Sequence, residues 1–531
     1  MLAVAALATA CSKDDDHAKT PDSIGEVGYF SIRAEIPSEV ASRASAEEGA
    51  TAPEGTIHTL YAIAFDASNK VTTPSGASLP YVKLTGTDLS QPEAFKMTTN
   101  AKGLLLVANP GTQLETVITG LVSGSSSFDD FNKAIKSVTV AEIVDGTKGY
   151  TMINTGSMLP NDKADDADNA GLCLVAIPKT KIKVVGEGSG EYQNESDAKN
   201  AAKSDQVTIK IERLSSKLFV KTAGTGVQPV APHQDGVFVP LGWTVDVLNT
   251  TFYPWAQKVK LNSVPSTATF YTSNFYTIDP NYDNNTGLTY KGRNATTLLP
   301  DATFETLDAT GNLQYCIENT MRASEQRWKN ATRIIVKAQY WPYSGGSGDW
   351  FRFRETVYKT FADLMTEYTT AQGNDTKPSF RAACDLFYTR LKAYATANGI
   401  SSFTANKFEE VTDAMLGDAK FKDVGGEVTR VADCIRWYKD GLNYYYYELT
   451  HDDASSGASE YAKYGIVRNN WYKLTVATVG GWGTPWYPSV DPNDPDPDGP
   501  DPEDKIDGAE GWLGVTVEVG PWVSWEKEIH L

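Results

Sequence analysis

The strongest constraint on this chain lies at its end. Leu513, Val515, Val517 and Val519 alternate with Gly514, Thr516 and Glu518. After Gly520-Pro521, residues Val523, Trp525, Ile529 and Leu531 alternate to the last position, with Lys527 breaking the pattern. Period-two alternation marks a half-buried strand. Two strands alone are barely stable in water, so these must join a sheet built elsewhere. A tract from Pro488 to Asp507 sets them apart, carrying Asp491-Pro492, Asp494-Pro495-Asp496-Pro497-Asp498 and Asp501-Pro502. Proline stiffens such a tract and like charges extend it. The expectation is a polyproline-like spacer of roughly 60 Å at ~3.1 Å per residue. The strands of 508–531 could fold back on their own domain, but a hairpin needs a short turn, so the arm favours docking on another molecule.

The remainder must supply the sheets. A chain of 531 residues suits two domains, and 26 Tyr with 12 Trp favour β-structure. Phe30, Ile32, Ala34 and Ile36 alternate with Ser31, Arg33 and Glu35 as a first strand. Further strands are expected at Ile57 to Phe65, Phe95 to Thr98, Gly103 to Val107, Tyr150 to Ile153 and Val207 to Val220, closing a first domain of 28–225. A second domain, 226–487, carries strands at Trp243 to Leu248, Tyr315 to Ile317, Arg333 to Tyr340, Tyr444 to Leu449 and Trp471 to Val476. Within it, Phe361, Leu364, Met365, Tyr368 and then Phe380, Ala383, Cys384, Phe387 follow helical spacing. These predict a helical insertion over 359–418, with Pro378 in a first turn and Gly399 at an end.

Two processing signals precede the first domain's body. Leu7-Ala8-Thr9-Ala10-Cys11 reads as a lipobox, with Cys11 the residue to be lipidated. The apolar run is too short to span a bilayer, and no basic residue precedes it, so the signal's start is expected upstream. Residues 1–27 are then signal remnant and tether. Between the first two strands, Ser38 to Glu54 is rich in Ala, Ser, Glu and Gly with Arg43 in its middle, the composition of an exposed, cleavable loop.

The search for chemistry finds little. The 5 His residues show no metal-ligand spacing. No nucleophile elbow, phosphate loop or dinucleotide fingerprint is present. Asp494 to Gly499 matches the start of a calcium loop, but its twelfth position is Lys505 and the prolines block the turn. No metal and no cofactor are expected. Tyr444 to Tyr447 could form a carbohydrate platform, yet alternate side chains of a strand face opposite ways, which favours packing. A net charge of -19 repels nucleic acid. Beyond Cys11, four cysteines (Cys173, Cys316, Cys384, Cys434) leave two disulfides or buried thiols equally open.

Several segments resemble one family. Tyr464-Gly465-Ile466-Val467-Arg468-Asn469-Asn470-Trp471-Tyr472-Lys473-Leu474-Thr475-Val476 resembles the "VRNN-x-Y-x-L-x-V" strand of Bacteroidetes fimbrillins. Tyr315-Cys316-Ile317-Glu318-Asn319-Thr320 resembles the "YC-x-ENT" segment of their minor-fimbria branch. Leu104 to Pro110, Ile211 to Leu214, and the acidic Ser12 to Asp16 behind Cys11 also fit.

The resemblance implies a mainly β fold of two transthyretin-like β-sandwich domains, exported as an outer-membrane lipoprotein. It implies that an Arg-specific surface protease cuts after Arg43, leaving Ala44 as the new start. The strand of Phe30, Ile32, Ala34 and Ile36 then leaves. A neighbour's donor strand, Leu513 to Val519 or Val523 to Leu531, fills the groove to extend a fimbria. The implied partners are copies of the chain arranged head to tail, accessory tip and anchor fimbrillins, the protease, and a lipid anchor. A tip subunit needs no donor and an anchor keeps its first strand, so the stalk type is favoured. The helical insertion departs from the family. The rival readings are a surface glycan-binding lipoprotein and, behind it, a glycoside hydrolase.

Overall fold

The computed structural model describes residues 25–35, 52–74, 79–155, 174–260, 275–283, 286–291, 303–422, 424–451, 464–506 and 513–521. Two of its strands, Leu60–Phe65 and Gly103–Ala108, are buried along their whole length. Their near-continuous apolar sequences require cover on both faces. Leu60, Ala62, Ala64, Leu104, Leu106 and Ala108 line one core, and Tyr61, Ile63, Phe65, Leu105 and Val107 line the other. A three-stranded sheet of Val27–Phe30, Phe95–Thr98 and Lys183–Val184 accompanies the first core. Short helices bring Leu114, Ile118, Phe128 and Phe131 to the second.

The N-terminal alternation becomes two strands rather than one. Val27–Phe30 pairs antiparallel with Phe95–Thr98. Ile32–Glu35 pairs parallel with Val207–Arg213, in the eight-stranded sheet. The chain thus crosses between sheets at Ser31 while Phe30, Ile32 and Ala34 all reach the same core. Arg33 is exposed, and Ile36 lies outside the described residues.

Strand partners change ahead of residue 225. Val207–Arg213 belongs to the first domain's sheet, whereas Ser215–Thr222 pairs with Asn312–Ile317 and Asn470–Val479 in another. The changeover is at Leu214. The apolar phase slips from Val207, Ile209 and Ile211 to Leu214, Leu218 and Val220 at this point, but the β-rich run continues through it, and local pattern does not name a strand's partner. The second domain's other sheet is Val237–Asp246, Arg333–Trp341 and Leu442–Glu448. Trp243, Ile334, Val336, Tyr445, Tyr472 and Leu474 fill the space between the two sheets.

The helical insertion holds Phe361–Gly373 and Pro378–Ala397. Thr360 and Asp363 form a capping box on the first helix, and Pro378 opens the second. Its core reaches beyond 359–418: Phe351, Tyr358, Ile435 and Trp437 pack with Phe387 and Leu391. Their strands, Trp350–Phe353, Thr356–Tyr358 and Arg436–Tyr438, form a small sheet. Cys316, Cys384 and Cys434 are buried free thiols, and Cys173 lies outside the described residues.

The Pro/Asp tract is not the stiff spacer expected. Val490, Asp496 and Ile506 are buried, and the backbone turns at Asp491, Asp496 and Asp501. The tract is a strap laid along its own domain. Asp491, Asp496 and Asp501 at these turns bond backbone N–H groups two residues on. Asp494, Asp498 and Glu503 between and beyond them meet cations, so the acidic charge fastens the segment instead of stretching it.

Candidate assembly site

The two sequence motifs meet in one buried joint. Asn319 and Ile466 exchange backbone hydrogen bonds at 2.8 and 2.9 Å, which brings Glu318 beside Arg468. These side chains form an ion pair 0% and 1% exposed. Arg468 also donates to the carbonyls of Pro254 at 2.9 Å and Tyr253 at 2.8 Å. That loop is the hook into the first domain. Trp255 N–H donates to Asn132 Oδ1 at 2.7 Å, and Phe252 bridges Ile135. Arg468 therefore ties the motif strand to the domain interface.

The motif's asparagines have local tasks. Asn469 sits at φ 56°, a left-handed conformation asparagine tolerates, and its side chain accepts from Arg213 N–H at 3.3 Å. Glu318 accepts from Thr277 at 2.7 Å. Burial, with the neighbouring Glu318 charge, pushes the Asp279 carboxyl well up. Burial pulls the Arg468 guanidinium down, but Glu318 and the acids around it hold it above its usual value. Among the described residues no group of His, Cys, Asp and Glu could hold a metal ion.

The first domain's terminal strand is followed by a second anchor. Beyond the segment holding Arg43 and Ala44, which lies outside the described residues, the short helix Ala52–Gly55 plants Glu54 at 0% exposure. Glu54 pairs with Lys217 at 2.9 Å, accepts from Tyr315 OH at 2.6 Å, and its carbonyl accepts from Arg213 at 2.9 Å. Burial lowers the Lys217 ammonium and draws Arg213 down to about 10. Nothing in the flanking Ala-Pro-Glu-Gly sequence signals this anchor; its partners lie 159 to 261 residues away.

The C-terminal strand Leu513–Pro521 pairs antiparallel with Asn470–Val479 of its own domain, from Val479↔Leu513 to Asn470↔Pro521. This strand holds Leu513, Val515, Val517 and Val519, and Val515 packs against the domain's core. Val523, Trp525, Ile529 and Leu531 lie outside the described residues, as does Cys11.

The tyrosine run is packing. Tyr444 and Tyr445 are buried, and Tyr446 lies edge-on to Trp328 at 5.3 Å. A cavity of about 360 Å³ opens nearby, lined by Arg352, Arg436, Tyr445, Trp482 and Asp498. Its groups already serve one another. Asp498 bonds Arg436 at 2.6 Å, while His233 and Arg352 flank the Trp482 ring at 5.0 and 5.2 Å.

These features define a protein of two β-sandwich domains with a C-terminal strand added to a sheet edge. Residues 436–528 match the family model "major fimbrial subunit protein type IV, fimbrillin, C-terminal". This segment, which includes the motif strand and the edge strand, is where the chain is similar to fimbrillins. None of the curated protein sequences matches it. Among solved structures, a candidate cell adhesion protein from Parabacteroides distasonis has 12% identity and TM-score 0.41, covering 94% of this chain and 99% of its own. A fimbrilin from Porphyromonas gingivalis has 15% identity and TM-score 0.37, covering 95% and 100%. The tip fimbrial protein Mfa3 of the same organism, truncated at its C-terminus, has 11% identity and TM-score 0.36, covering 93% and 100%.

Proposed function

We propose that this chain is a stalk-type subunit that is exported as a lipoprotein through Cys11, cut after Arg43, and polymerised head to tail by donor-strand exchange. The observation that carries the reading is the pair of seats around the loop. Before it, Phe30 and Ile32 are wholly buried in short strands held by pairing, packing and the Gln206 side chain's bonds to Ser31 and Ile32, with no buried ion pair among the described contacts. After it, Glu54 is locked into a buried ion pair. A cut between them would free the first strand and leave the remainder anchored.

Loss of that strand would open the core that Met97, Leu106, Ile209 and Ile211 share with Phe30, Ile32 and Ala34. It would also leave unpaired backbone groups on both sheets. A period-two donor from a neighbour repairs both deficits. Four buried side chains at about 1.5 kcal/mol each would supply roughly 6 kcal/mol. Head-to-tail contacts that do not close make a filament. The role is structural rather than enzymatic.

The test treats the soluble full chain with a trypsin-like protease, followed by electron microscopy and N-terminal sequencing. Fibres whose subunits begin at Ala44 are expected. Monomers after complete cleavage at Arg43 would overturn the reading.

A further inference from the structure

The strap's carboxylates meet a row of cations supplied by the elements beneath it. Arg430 Nη1 donates to both carboxylate oxygens of Asp494 at 2.9 and 2.8 Å, and its Nη2 donates to the Asp494 carbonyl at 2.8 Å. Arg436 Nε donates to Asp498 at 2.6 Å, and Arg352 lies 3.5 Å from the same carboxylate. Arg327, at 3.1 Å, and Lys329 hold Glu503. Backbone bonds join the far end: Trp328 N–H to the Asp504 carbonyl at 3.1 Å, and Ile506 N–H to the Gln326 carbonyl at 3.2 Å.

The two sides of this contact differ. Arg430 and Arg436 are sunk, with side chains 7% and 6% exposed. The strap's Asp494 and Glu503 remain 47% and 53% exposed, so salt reaches them. The cations also have a telling origin. Arg352 and Arg436 stand on strands of the insertion's own sheet, and Arg430 precedes Cys434 and Ile435 of its core. The insertion thus builds the receiving surface for the front half of the strap.

We propose that the insertion and the strap form an electrostatic clasp that holds the C-terminal strand on its own domain. With the clasp shut, Ile506 is anchored 7 residues before Leu513. With the whole strap from Pro488 lifted, Ser489 and Val490 included, the last residue still packed is Tyr487, 26 residues before it. Closing the longer loop is less probable by the 3/2 power of the length ratio, so release of the strand rises about sevenfold. The use of that release in assembly rests on the polymerisation reading; the clasp itself does not, because it is measured on the monomer.

The experiment is hydrogen exchange on the uncleaved full chain, comparing wild type with the triple variant Asp494→Asn, Asp498→Asn, Glu503→Gln at about 20 mM and about 500 mM NaCl. In low salt the protected amides of 513–521 should exchange about sevenfold faster in the variant. High salt should bring wild type toward the variant, and trypsin should cut sooner at Lys505. Amides of Arg333–Trp341 should not change. Unchanged exchange at 513–521 would overturn the clasp. So would equal acceleration across Arg333–Trp341, since the pairs would then belong to the domain's general fold. A chain that shows the clasp but never forms fibres would sink only the polymerisation reading.

Discussion

Lys217 Nζ lies 2.9 Å from Glu54 Oε1, with side chains 2% and 0% exposed. The pair joins the residue that follows the proposed processing loop to the first strand of the second domain. The ammonium also sits over the Trp471 ring at 4.5 Å. Removing one partner strands a buried charge, so Glu54→Ala should cost about 3–5 kcal/mol in urea denaturation. Replacing both, as Glu54→Gln with Lys217→Met, should cost clearly less than the single change. A single variant as stable as wild type would show that the pair holds nothing.

The Arg468 joint makes a second claim. Its fork reaches Glu318 and two carbonyls of the hook that enters the first domain. Lysine cannot reproduce a planar fork. Arg468→Lys should destabilise the chain by about 3 kcal/mol and split a single denaturation transition into two, as the domains uncouple. One cooperative transition at the wild-type midpoint would exclude a coupling role.

How much of this was legible beforehand follows from what each signal reports. Alternation placed the strands at Phe95–Thr98 and Arg333–Trp341 almost to the residue, because each has a face on a core. Helical spacing likewise gave Phe361–Gly373 and Pro378–Ala397. Local pattern is silent about partners. It could not show that Ser215 changes sheet, nor that Glu54 meets Lys217, 163 residues away by their numbers. It misled at the strap, where like charges suggest extension only if no cations wait beneath them. The motifs carried the resemblance but not the physical reason that Arg468 is in them.

Glu448 gives a pH dependence. Burial raises its carboxyl from 4.5 to about 7 against the pull of Arg333. Its Oε1 has no hydrogen-bond partner. Between these values the folded chain binds more protons than the unfolded one, so stability falls as pH rises from 4.5 to 7. The loss is complete above the folded value and amounts to about 3 kcal/mol. Glu448→Gln should flatten this slope and be about 2 kcal/mol more stable than wild type near pH 8, with little difference near pH 4. Urea midpoints at the two pH values check it. Equal slopes would mean that Glu448 is ionised in the fold throughout.

The last prediction separates the two candidate donor segments. Leu513–Pro521 already has a partner in its own domain, Asn470–Val479. To act in a neighbour it must leave that edge. The residues after it, with Val523, Trp525, Ile529 and Leu531, carry the same period-two pattern. Two truncations distinguish them. Deleting 522–531 keeps the paired strand; deleting 512–531 removes both. If the terminal segment is the donor, both truncated chains should fold, be cut at Arg43 and fail to extend fibres. If Leu513–Pro521 is the donor, the shorter deletion should still polymerise and the longer should not. The longer deletion also bares one edge of Asn470–Val479, but its other edge keeps Ser215–Thr222, so the monomer should remain folded with a modest loss of stability. A one-residue shift of the true donor would turn its apolar set away from the groove and should stop assembly almost as completely as deletion. Normal fibres from the longer deletion, seen by electron microscopy after complete cleavage, would remove the C-terminus from the assembly mechanism altogether.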